Sequence, residues 1–420
     1  MKTNASPGDF VEVHLTKLIY EGTLLESPDS KIVLIKLGTG YNLGLNKKEI
    51  NEIKVLKKTK EFQEHSKMKA DSKKPNIAMV ITGGTIASRY DPKTGAVKWL
   101  TNPENLFKFY PELFEKVNVL KVDVPFMKGS ENMDFKDWKK IAKSVETFLN
   151  DKNIQGIIVT HGTDTLHYTS AALSFFLGKI NKPVVLTYSQ RSIDRASSDA
   201  NLNLQCSALA AISDIAEVMI VGHANSDDDF CYALPGTKVR KMHSSRRDAF
   251  KAINERPIAK IYPDILEKIS EYSPRGKSNK IKVDSNFEEK VALLKFYPGQ
   301  DPNILDYYVK EGYKGLVIEM VGLGHVATSE SRNSWTNKLK EVIKKGLVVC
   351  AAPQTLNGRL DPLVYSTGRE LIDTGVIYLK DILPETALVK LGWVLGHKNW
   401  NAKEKMLENI SGEFNDRLEE

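Results

Sequence analysis

Apolar and polar residues alternate over short runs in the amino-terminal part of the chain. The alternation covers residues 11–15 and 32–37, and turn-forming sequences occupy residues 27–30 and 38–40. A period of two residues, interrupted by Ser, Pro, Asp and Gly, is typical of short antiparallel strands. The pattern therefore predicts a small β barrel over residues 1–58.

From residue 76 onwards, apolar runs are followed by stretches with helical spacing. Strand-like runs occupy residues 77–81, 117–124, 157–160, 184–187 and 218–221. A helical pattern over residues 168–177 follows the third of these runs. Buried apolar strands that alternate with helices are typical of βα units on a largely parallel sheet. We predict a large doubly wound parallel-sheet domain over residues 76–275.

The composition turns to Ser, Pro, Gly and Lys around residues 273–285, and strand and helix patterns then resume. Strand-like runs follow at residues 291–296, 316–320 and 347–351, with a helical stretch at 333–345. They predict a smaller α/β domain over residues 290–420. The expected fold class is therefore α/β, with a large and a small domain and an amino-terminal β barrel.

The charge of the chain is unevenly distributed. Its 420 residues carry 60 Lys and Arg against 53 Asp and Glu, and a net charge of +7 is too dilute to indicate nucleic-acid binding by itself. The surplus is concentrated over residues 57–74, where seven lysines stand against three acidic residues. We predict a basic linker over residues 59–75. A solvated connection is the simpler interpretation, and a patch beside RNA phosphates is the alternative.

Composition also excludes several classes of protein. With 41% hydrophobic and 27% charged residues, the chain is not of the disordered class. Its three cysteines suit neither a disulfide framework nor a four-thiolate zinc site, and its histidines lack the spacing of metal ligands. The sequence contains no signal-peptide core and no run of about 18 apolar residues. We expect a cytoplasmic protein with no membrane contact and no metal site.

Two motifs directly follow predicted strands of the large domain. The sequence TGGTIA occupies residues 82–87, and HGTDT occupies residues 161–165. Ligands of open parallel sheets bind beyond the carboxyl ends of the strands, so these motifs are expected to meet at one site. The first motif matches neither a dinucleotide fingerprint nor a phosphate loop. The second could equally be a helix cap, because Thr and Asp are common there.

The two motifs, in this order, resemble those of the type I asparaginase family. Further similarity is found at residues 129–133, at Val239-Arg240-Lys241, at residues 322–326, and at Gln354-Thr355 with Gly358-Arg359. The amino-terminal extension, together with residues 190–192 and 197–200, narrows the resemblance to the glutaminase subunits of archaeal Glu-tRNA(Gln) amidotransferases, the GatD subfamily. The likeness to the asparaginases covers about residues 76–400, and the amino-terminal barrel with its basic linker is additional to it.

The resemblance implies a threonine nucleophile. Thr85 would attack the side-chain amide of glutamine and release ammonia, and water activated near Thr163 would then release glutamate. Thr163, Asp164 and Lys241 would form a hydrogen-bonded relay, with Lys241 as the candidate base. Backbone amides next to Gly84 and Gly162 would stabilise the oxyanion.

The resemblance also implies how the substrate is held and which partners are needed. Asp164 would bind the α-ammonium group of glutamine, and Ser130 with backbone groups would bind the α-carboxylate. Residues 129–133, which include Glu131, resemble the loop that holds the α-carboxylate and α-amino groups in the family. The chain has no motif for ATP, so ATP and Mg²⁺ would be used by a partner subunit, GatE. The assembly, a ligase that forms a carbon–nitrogen bond on Glu-tRNA(Gln), is expected to be a dimer of heterodimers.

Two departures from the asparaginases stand out. A mobile tyrosine is expected some residues after the first threonine, where this chain has Lys98 and Trp99, with Tyr90 closer. Glu131 stands where free asparaginases often carry glutamine. Which threonine attacks first therefore stays open. The alternatives are a free cytoplasmic L-asparaginase with an added barrel and an RNA-binding module on an asparaginase-like scaffold.

Overall fold

A computed structural model of the chain describes residues 4–25, 27, 29–37, 42–58, 71–90, 97–99, 113–193, 195, 198–276 and 280–417. Most of the predicted basic linker, residues 59–70, lies outside the described residues. The side chains of Tyr90, Lys98 and Trp99 also lie outside them.

The amino-terminal unit is a five-stranded antiparallel sheet with the order β4-β3-β2-β1-β5. Its strands are β1 (Phe10–Leu15), β2 (Ile19–Leu25), β3 (Ile32–Leu37), β4 (Asn42–Asn46) and β5 (Ile50–Lys57). One cluster of buried side chains, which includes Val11, Val13 and Ile35, receives members from every strand. A single sheet can gather all its strands around one cluster only by curling around it. The predicted β-rich extension is therefore confirmed.

The central unit contains an eight-stranded sheet with the order β17-β16-β13-β12-β11-β10-β6-β9. The strands of this part of the chain are β6 (Asn76–Ile81), β7 (Ser88–Tyr90), β8 (Val97–Trp99), β9 (Asn118–Asp123), β10 (Gly156–Thr160), β11 (Val184–Thr187), β12 (Val218–His223), β13 (Cys231–Pro235), β14 (Val239–Lys241), β15 (Phe250–Ala252), β16 (Ala259–Ile261) and β17 (Leu266–Lys268). In the sheet, the neighbouring strands β9, β6, β10, β11 and β12 pair in parallel. The remaining pairs, β12 with β13, β13 with β16 and β16 with β17, are antiparallel.

Helices cover both faces of this sheet. They are α1 (Leu113–Lys116), α2 (Phe135–Leu149), α3 (Leu166–Leu177) and α4 (Ala200–Ile212). Along β6, Ala78 and Val80 pack with the residues of α2 and α3, whereas Ile77 and Met79 pack with those of α4. Both sets are buried because successive side chains of a strand point to opposite faces. The doubly wound arrangement is thus confirmed.

Part of this sheet was not predicted from the sequence. The antiparallel strands β16 and β17 have three residues each, which is too short for a periodic signal. The two-stranded ribbon of β14 and β15 was missed for the same reason. These short elements matter because β14 carries Lys241.

The carboxyl-terminal unit is a four-stranded parallel sheet with the order β18-β19-β20-β21. Its elements are β18 (Val291–Lys295), α5 (Ile304–Lys310), β19 (Gly315–Met320), α6 (Thr336–Lys344), β20 (Val348–Pro353), α7 (Ser366–Ile372), β21 (Ile377–Tyr378), α8 (Pro384–Leu395) and α9 (Ala402–Leu407). Helix α8 joins this sheet to the central unit, since the Trp393 ring stacks on Phe175 of α3 at 5.7 Å. One hydrophobic core therefore crosses the boundary between the two units.

None of the helices in the described ranges combines the length and the apolar character that a bilayer crossing requires.

Candidate active site

The segment after β6 approaches the segment after β10 at backbone distance. Gly83 and Gly84 have φ angles of 111° and 78°, in the left-handed region that favours glycine. A Cβ atom on Gly84 would lie 2.4 Å from the backbone nitrogen of Gly162. The glycine pair is therefore needed for both the turn and the close contact between residues 82–87 and 161–165.

Thr85 begins the short 3-10 turn Thr85–Ala87 that follows the glycines. Its side chain is half-buried. Its carbonyl oxygen accepts a hydrogen bond from the Ser88 hydroxyl at 2.8 Å. Among the residues that the structure describes, none forms a hydrogen bond with the hydroxyl of Thr85. That hydroxyl is consequently available to a ligand at the carboxyl end of β6.

A buried histidine holds the backbone of the second segment, residues 161–165. His161 Nδ1 lies 2.7 Å from the carbonyl oxygen of Gly162, and Nε2 lies 2.9 Å from Thr169 Oγ1. A carbonyl can only accept, so Nδ1 carries the proton and Nε2 accepts from the threonine hydroxyl. Burial lowers the pKa of His161 to about 4, so the ring is neutral near pH 7. His161 thus fixes the backbone that presents Thr163.

Lys241 connects this segment to β14. Its Nζ donates to Thr163 Oγ1 at 2.8 Å and to Asp164 Oδ1 at 2.7 Å. The Lys241 side chain is 11% exposed, whereas that of Asp164 is 62% exposed. Thr163 and Asp164 therefore present a buried hydroxyl and an accessible carboxylate to one ammonium group. Thr165 is the N-cap residue of α3, and its side chain forms no capping hydrogen bond.

Ser130 links the third motif to the second. Its Oγ accepts hydrogen bonds from the backbone nitrogens of Asp164 and Thr165, at 3.1 and 3.4 Å, and Thr165 Oγ1 donates to the Ser130 carbonyl at 2.7 Å. Because Oγ accepts twice, its own proton is left to donate to an anion. The neighbouring Glu131 is exposed and accepts from Asn132 Nδ2 at 3.1 Å. The structure therefore brings Ser130 to the predicted site.

A cavity of about 260 Å³ opens at Asp164 and Lys241. Residues 242–244, which follow β14, complete its lining. The chain also has a larger cavity of about 730 Å³, which includes Ser174, Glu217 and Gly236 but none of the predicted site residues. Of the predicted site residues, Asp164 and Lys241 thus line the smaller cavity.

Residues of the motifs predicted near the carboxyl-terminal unit form hydrogen bonds with other parts of the protein. Gln354 Nε2 donates to the carbonyl oxygens of Phe296 and Glu319, at 2.7 and 3.2 Å. Gly358 N donates to Asn254 Oδ1 at 2.8 Å. Within the described ranges, no three His, Cys, Asp or Glu side chains are grouped as a metal site would require.

Comparison with known proteins accounts for almost the whole chain. The family described as GatD N-terminal domain matches residues 5–56, Asparaginase, N-terminal matches residues 76–272, and Glutaminase/Asparaginase C-terminal domain matches residues 290–407. The D subunit of the glutamyl-tRNA(Gln) amidotransferase of Pyrococcus furiosus is 46% identical over 97% of this chain and 94% of its own. The chain belongs to the GatD family.

Other relatives of the GatD family give the same match. The corresponding amidotransferase subunit of Methanothermobacter thermautotrophicus is 43% identical over 98% of this chain and 94% of its own. That of Thermococcus kodakarensis is 45% identical over 95% of this chain and 91% of its own.

Solved asparaginase structures share the fold with this GatD-family chain. The thermostable L-asparaginase from Thermococcus kodakarensis is 27% identical, with a TM-score of 0.72, over 81% of this chain and all of the other. L-asparaginase I from Vibrio cholerae is 26% identical, with a TM-score of 0.69, over 81% of this chain and 99% of the other. The predicted type I asparaginase-like fold is therefore confirmed.

Proposed function

We propose that this chain is the glutaminase subunit of a Glu-tRNA(Gln) amidotransferase. It hydrolyses the side-chain amide of glutamine and supplies ammonia for conversion of mischarged Glu-tRNA(Gln) to Gln-tRNA(Gln). The observation that carries the proposal is Lys241 Nζ, which lies within hydrogen-bond distance of both Thr163 and Asp164. These two residues follow Gly162, whose backbone meets that of Gly84. The match of residues 5–56 to the GatD N-terminal domain supports the amidotransferase over a free asparaginase.

The proposed first step is attack of Thr85 Oγ on the amide carbon of glutamine. The threonine proton passes to the leaving nitrogen, the carbon–nitrogen bond breaks, and ammonia leaves a glutamyl ester on Thr85. Backbone N–H groups next to Gly84 and Gly162 stabilise the oxyanion, each contributing about 3 kcal/mol. The close approach of these two glycines supports a shared oxyanion site.

The second step is hydrolysis of this ester. A proton of the attacking water passes through the Thr163 hydroxyl to Lys241 in its unprotonated amine form, and the hydroxide adds to the ester carbon. The ester C–O bond then breaks, the same proton returns to Thr85 Oγ, and glutamate leaves with the Thr85 hydroxyl restored. The alternative order, in which Thr163 attacks first, has one observation in its favour, since Thr163 is the threonine in contact with Lys241.

Substrate recognition follows from the same residues. Asp164 binds the α-ammonium group of glutamine, because its carboxylate is exposed at the cavity. Ser130 donates its free proton to the α-carboxylate, and Glu131 lies on the adjoining turn. A side-chain amide is thereby directed towards Thr85 between the two glycine segments.

We further propose the partners and the setting of the reaction. This chain needs no cofactor of its own. A GatE partner subunit uses ATP and Mg²⁺ to activate glutamate on tRNA. Two heterodimers associate, and the reaction takes place in the cytoplasm with Glu-tRNA(Gln). These assignments rest on membership of the GatD family.

An ammonia-release assay tests the proposal. The full chain is given glutamine or asparagine, with and without the partner subunit and Glu-tRNA(Gln). We expect little release by the chain alone, a rise with glutamine when partner and tRNA are added, and loss of steady-state release in Thr163→Val. Thr147→Val, at an exposed helical threonine, is the matched control and keeps the wild-type rate.

The same assay separates the alternatives. Rapid hydrolysis of asparagine by the isolated chain would identify a free asparaginase and contradict the proposal. RNA binding without amide hydrolysis, unchanged in Thr163→Val, would instead identify an RNA-binding module.

A further inference from the structure

Strand β14 carries charged side chains with two different sets of partners. Lys241 contacts Thr163 and Asp164 of the central unit. Arg240, one residue earlier, contacts Glu385 of the carboxyl-terminal unit, with 2.9 Å between Nη2 and Oε1. Successive side chains of a strand point in opposite directions, so the strand is held from both sides.

The side facing the carboxyl-terminal unit has two further anchors. Lys238, directly before β14, pairs with Asp381, and both side chains are fully buried. Thr386 Oγ1 donates to the carbonyl oxygen of Thr237 at 2.9 Å. Three contacts thus fix residues 237–240 against residues 381–386, where α8 begins.

Glu385 lies close to the helix that follows Thr163. It is buried, and its Oε2 atom has no hydrogen-bond partner among the described residues, so its main charged partner is Arg240. Burial raises the pKa of Tyr168 to about 12, and the charge of Glu385 adds to this effect. Arg240 and Glu385 therefore lie beside the first turn of α3.

We propose that Arg240 and Glu385 are positioning residues that set the distance between Lys241 and Thr163. This inference rests on the proposed function of that lysine. Strand β14 has only three residues and pairs only with β15 among the described strands, so its own ladder fixes it weakly. The anchors at Thr237 and Lys238 hold the start of this segment, whereas the ion pair holds the residue next to Lys241. The carboxyl-terminal unit thereby restrains the position of this lysine in the central unit.

The test uses Glu385→Gln and Arg240→Met in the full chain assembled with its partner subunit. In crystal structures, we expect the Lys241 Nζ to Thr163 Oγ1 distance to exceed about 3.5 Å. Displacement of this size should lower kcat for glutamine by about 10-fold or more. KM should change less than about 3-fold, because Asp164 and Ser130, which we propose bind the substrate, are not substituted. Arg240→Lys, which keeps the charge, restores part of the kcat and is the second variant if Arg240→Met fails to fold.

Lys390→Met is the matched control. Lys390 lies on the same helix and forms a buried ion pair with Glu413 at 2.6 Å, and its bonds to described residues do not reach β14. The substitution lowers thermal stability but keeps the Lys241–Thr163 distance and kcat. An unchanged distance and kcat in Glu385→Gln and Arg240→Met would overturn the proposal and leave the pair a purely structural role.

The two readouts distinguish failure of the inference from failure of the proposed function. If the wild-type complex releases no ammonia from glutamine, the proposed function is wrong. The distance between Lys241 and Thr163 in the variant structures still decides whether Arg240 and Glu385 position the lysine.

Discussion

The two threonine segments follow neighbouring parallel strands, yet they differ in what surrounds their hydroxyl groups. Strands β6 and β10 pair in register, with Ile81 opposite Thr160. Thr163, beyond β10, is buried and accepts a hydrogen bond from Lys241. Thr85, beyond β6, is half-buried, and its hydroxyl has no partner among the described residues.

This difference separates two chemical roles. A hydroxyl without a partner can reach a substrate carbon, but it has no base beside it. A hydroxyl in hydrogen-bond contact with the Nζ atom of a lysine is well placed to pass a proton but is held in one orientation. We therefore assign attack to Thr85 and water activation to Thr163.

The largest effect is expected from replacing each threonine by valine in the assembled enzyme. Both Thr85→Val and Thr163→Val should lower steady-state kcat by about 10³-fold or more, because neither step can be bypassed. The pre-steady state should differ. Thr163→Val should release one equivalent of ammonia per site and accumulate a glutamyl ester, whereas Thr85→Val should release none.

Rapid-quench measurement of ammonia and intact-mass spectrometry read these two outcomes. Thr147→Val again controls for the substitution. A burst in Thr85→Val with none in Thr163→Val would reverse the assignment and make Thr163 the first nucleophile.

A smaller effect is expected at Asp164, the accessible neighbour of Thr163. Asp164→Asn removes the charge that we assign to the α-ammonium group, and a hydrogen bond to a charged group contributes about 1.5–3 kcal/mol. KM for glutamine should therefore rise by about 10-fold to 100-fold, with a smaller change in kcat. Steady-state kinetics of the assembled enzyme measure it.

Asp306→Asn is the control for this change. Asp306 is a half-buried carboxylate, and it pairs with Lys338 at 2.9 Å in the carboxyl-terminal unit. It should leave KM unchanged. A fall in kcat without a rise in KM for Asp164→Asn would place Asp164 in the proton relay alone.

The sequence was sufficient to predict the strands that carry both motifs. Residues 77–81 and 157–160 are uninterrupted apolar runs, and the structure has strands at Asn76–Ile81 and Gly156–Thr160. Such runs are recognisable because a strand buried on both faces needs apolar residues at every position. The predicted helix over residues 333–345 was less accurate, since it begins only at Thr336.

The environment of each motif could not be predicted in the same way. The pairing of Arg240 with Glu385 joins residues far apart in the sequence, and no local pattern marks either of them. Lys241 was predicted only through the resemblance to the asparaginase family. The three residues of β14 are too few to show the alternation of apolar and polar side chains that marks a strand. The closeness of Gly84 to Gly162 likewise depends on the registry of two strands.

The smallest expected effect concerns pH, because the two segments also differ in titratable groups. Residues 82–88 contain none, whereas the segment of Thr163 contains His161 and continues into His167 of α3. Burial lowers the pKa of His167 to about 3, helped by the nearby charges of Arg240 and Lys241. An unfolded histidine has a pKa of about 6.5, so between pH 6.5 and about 3 the unfolded chain binds the extra proton. Stability must therefore fall as the pH falls through this window.

His167→Phe should remove this dependence from one side chain. Nδ1 of His167 has no hydrogen-bond partner among the described residues, and the ring packs near Tyr168 and Phe250, so phenylalanine loses no polar contact there. Between pH 7 and pH 5.5, the wild-type chain should lose about 1 kcal/mol more of its unfolding free energy than the variant. Urea unfolding at the two pH values measures this difference, with exposed His243→Phe as the control for the substitution. An equal loss in wild type and His167→Phe would mean that His167 is protonated in the folded chain, and the segment of Thr163 would then be more open to water than its burial indicates.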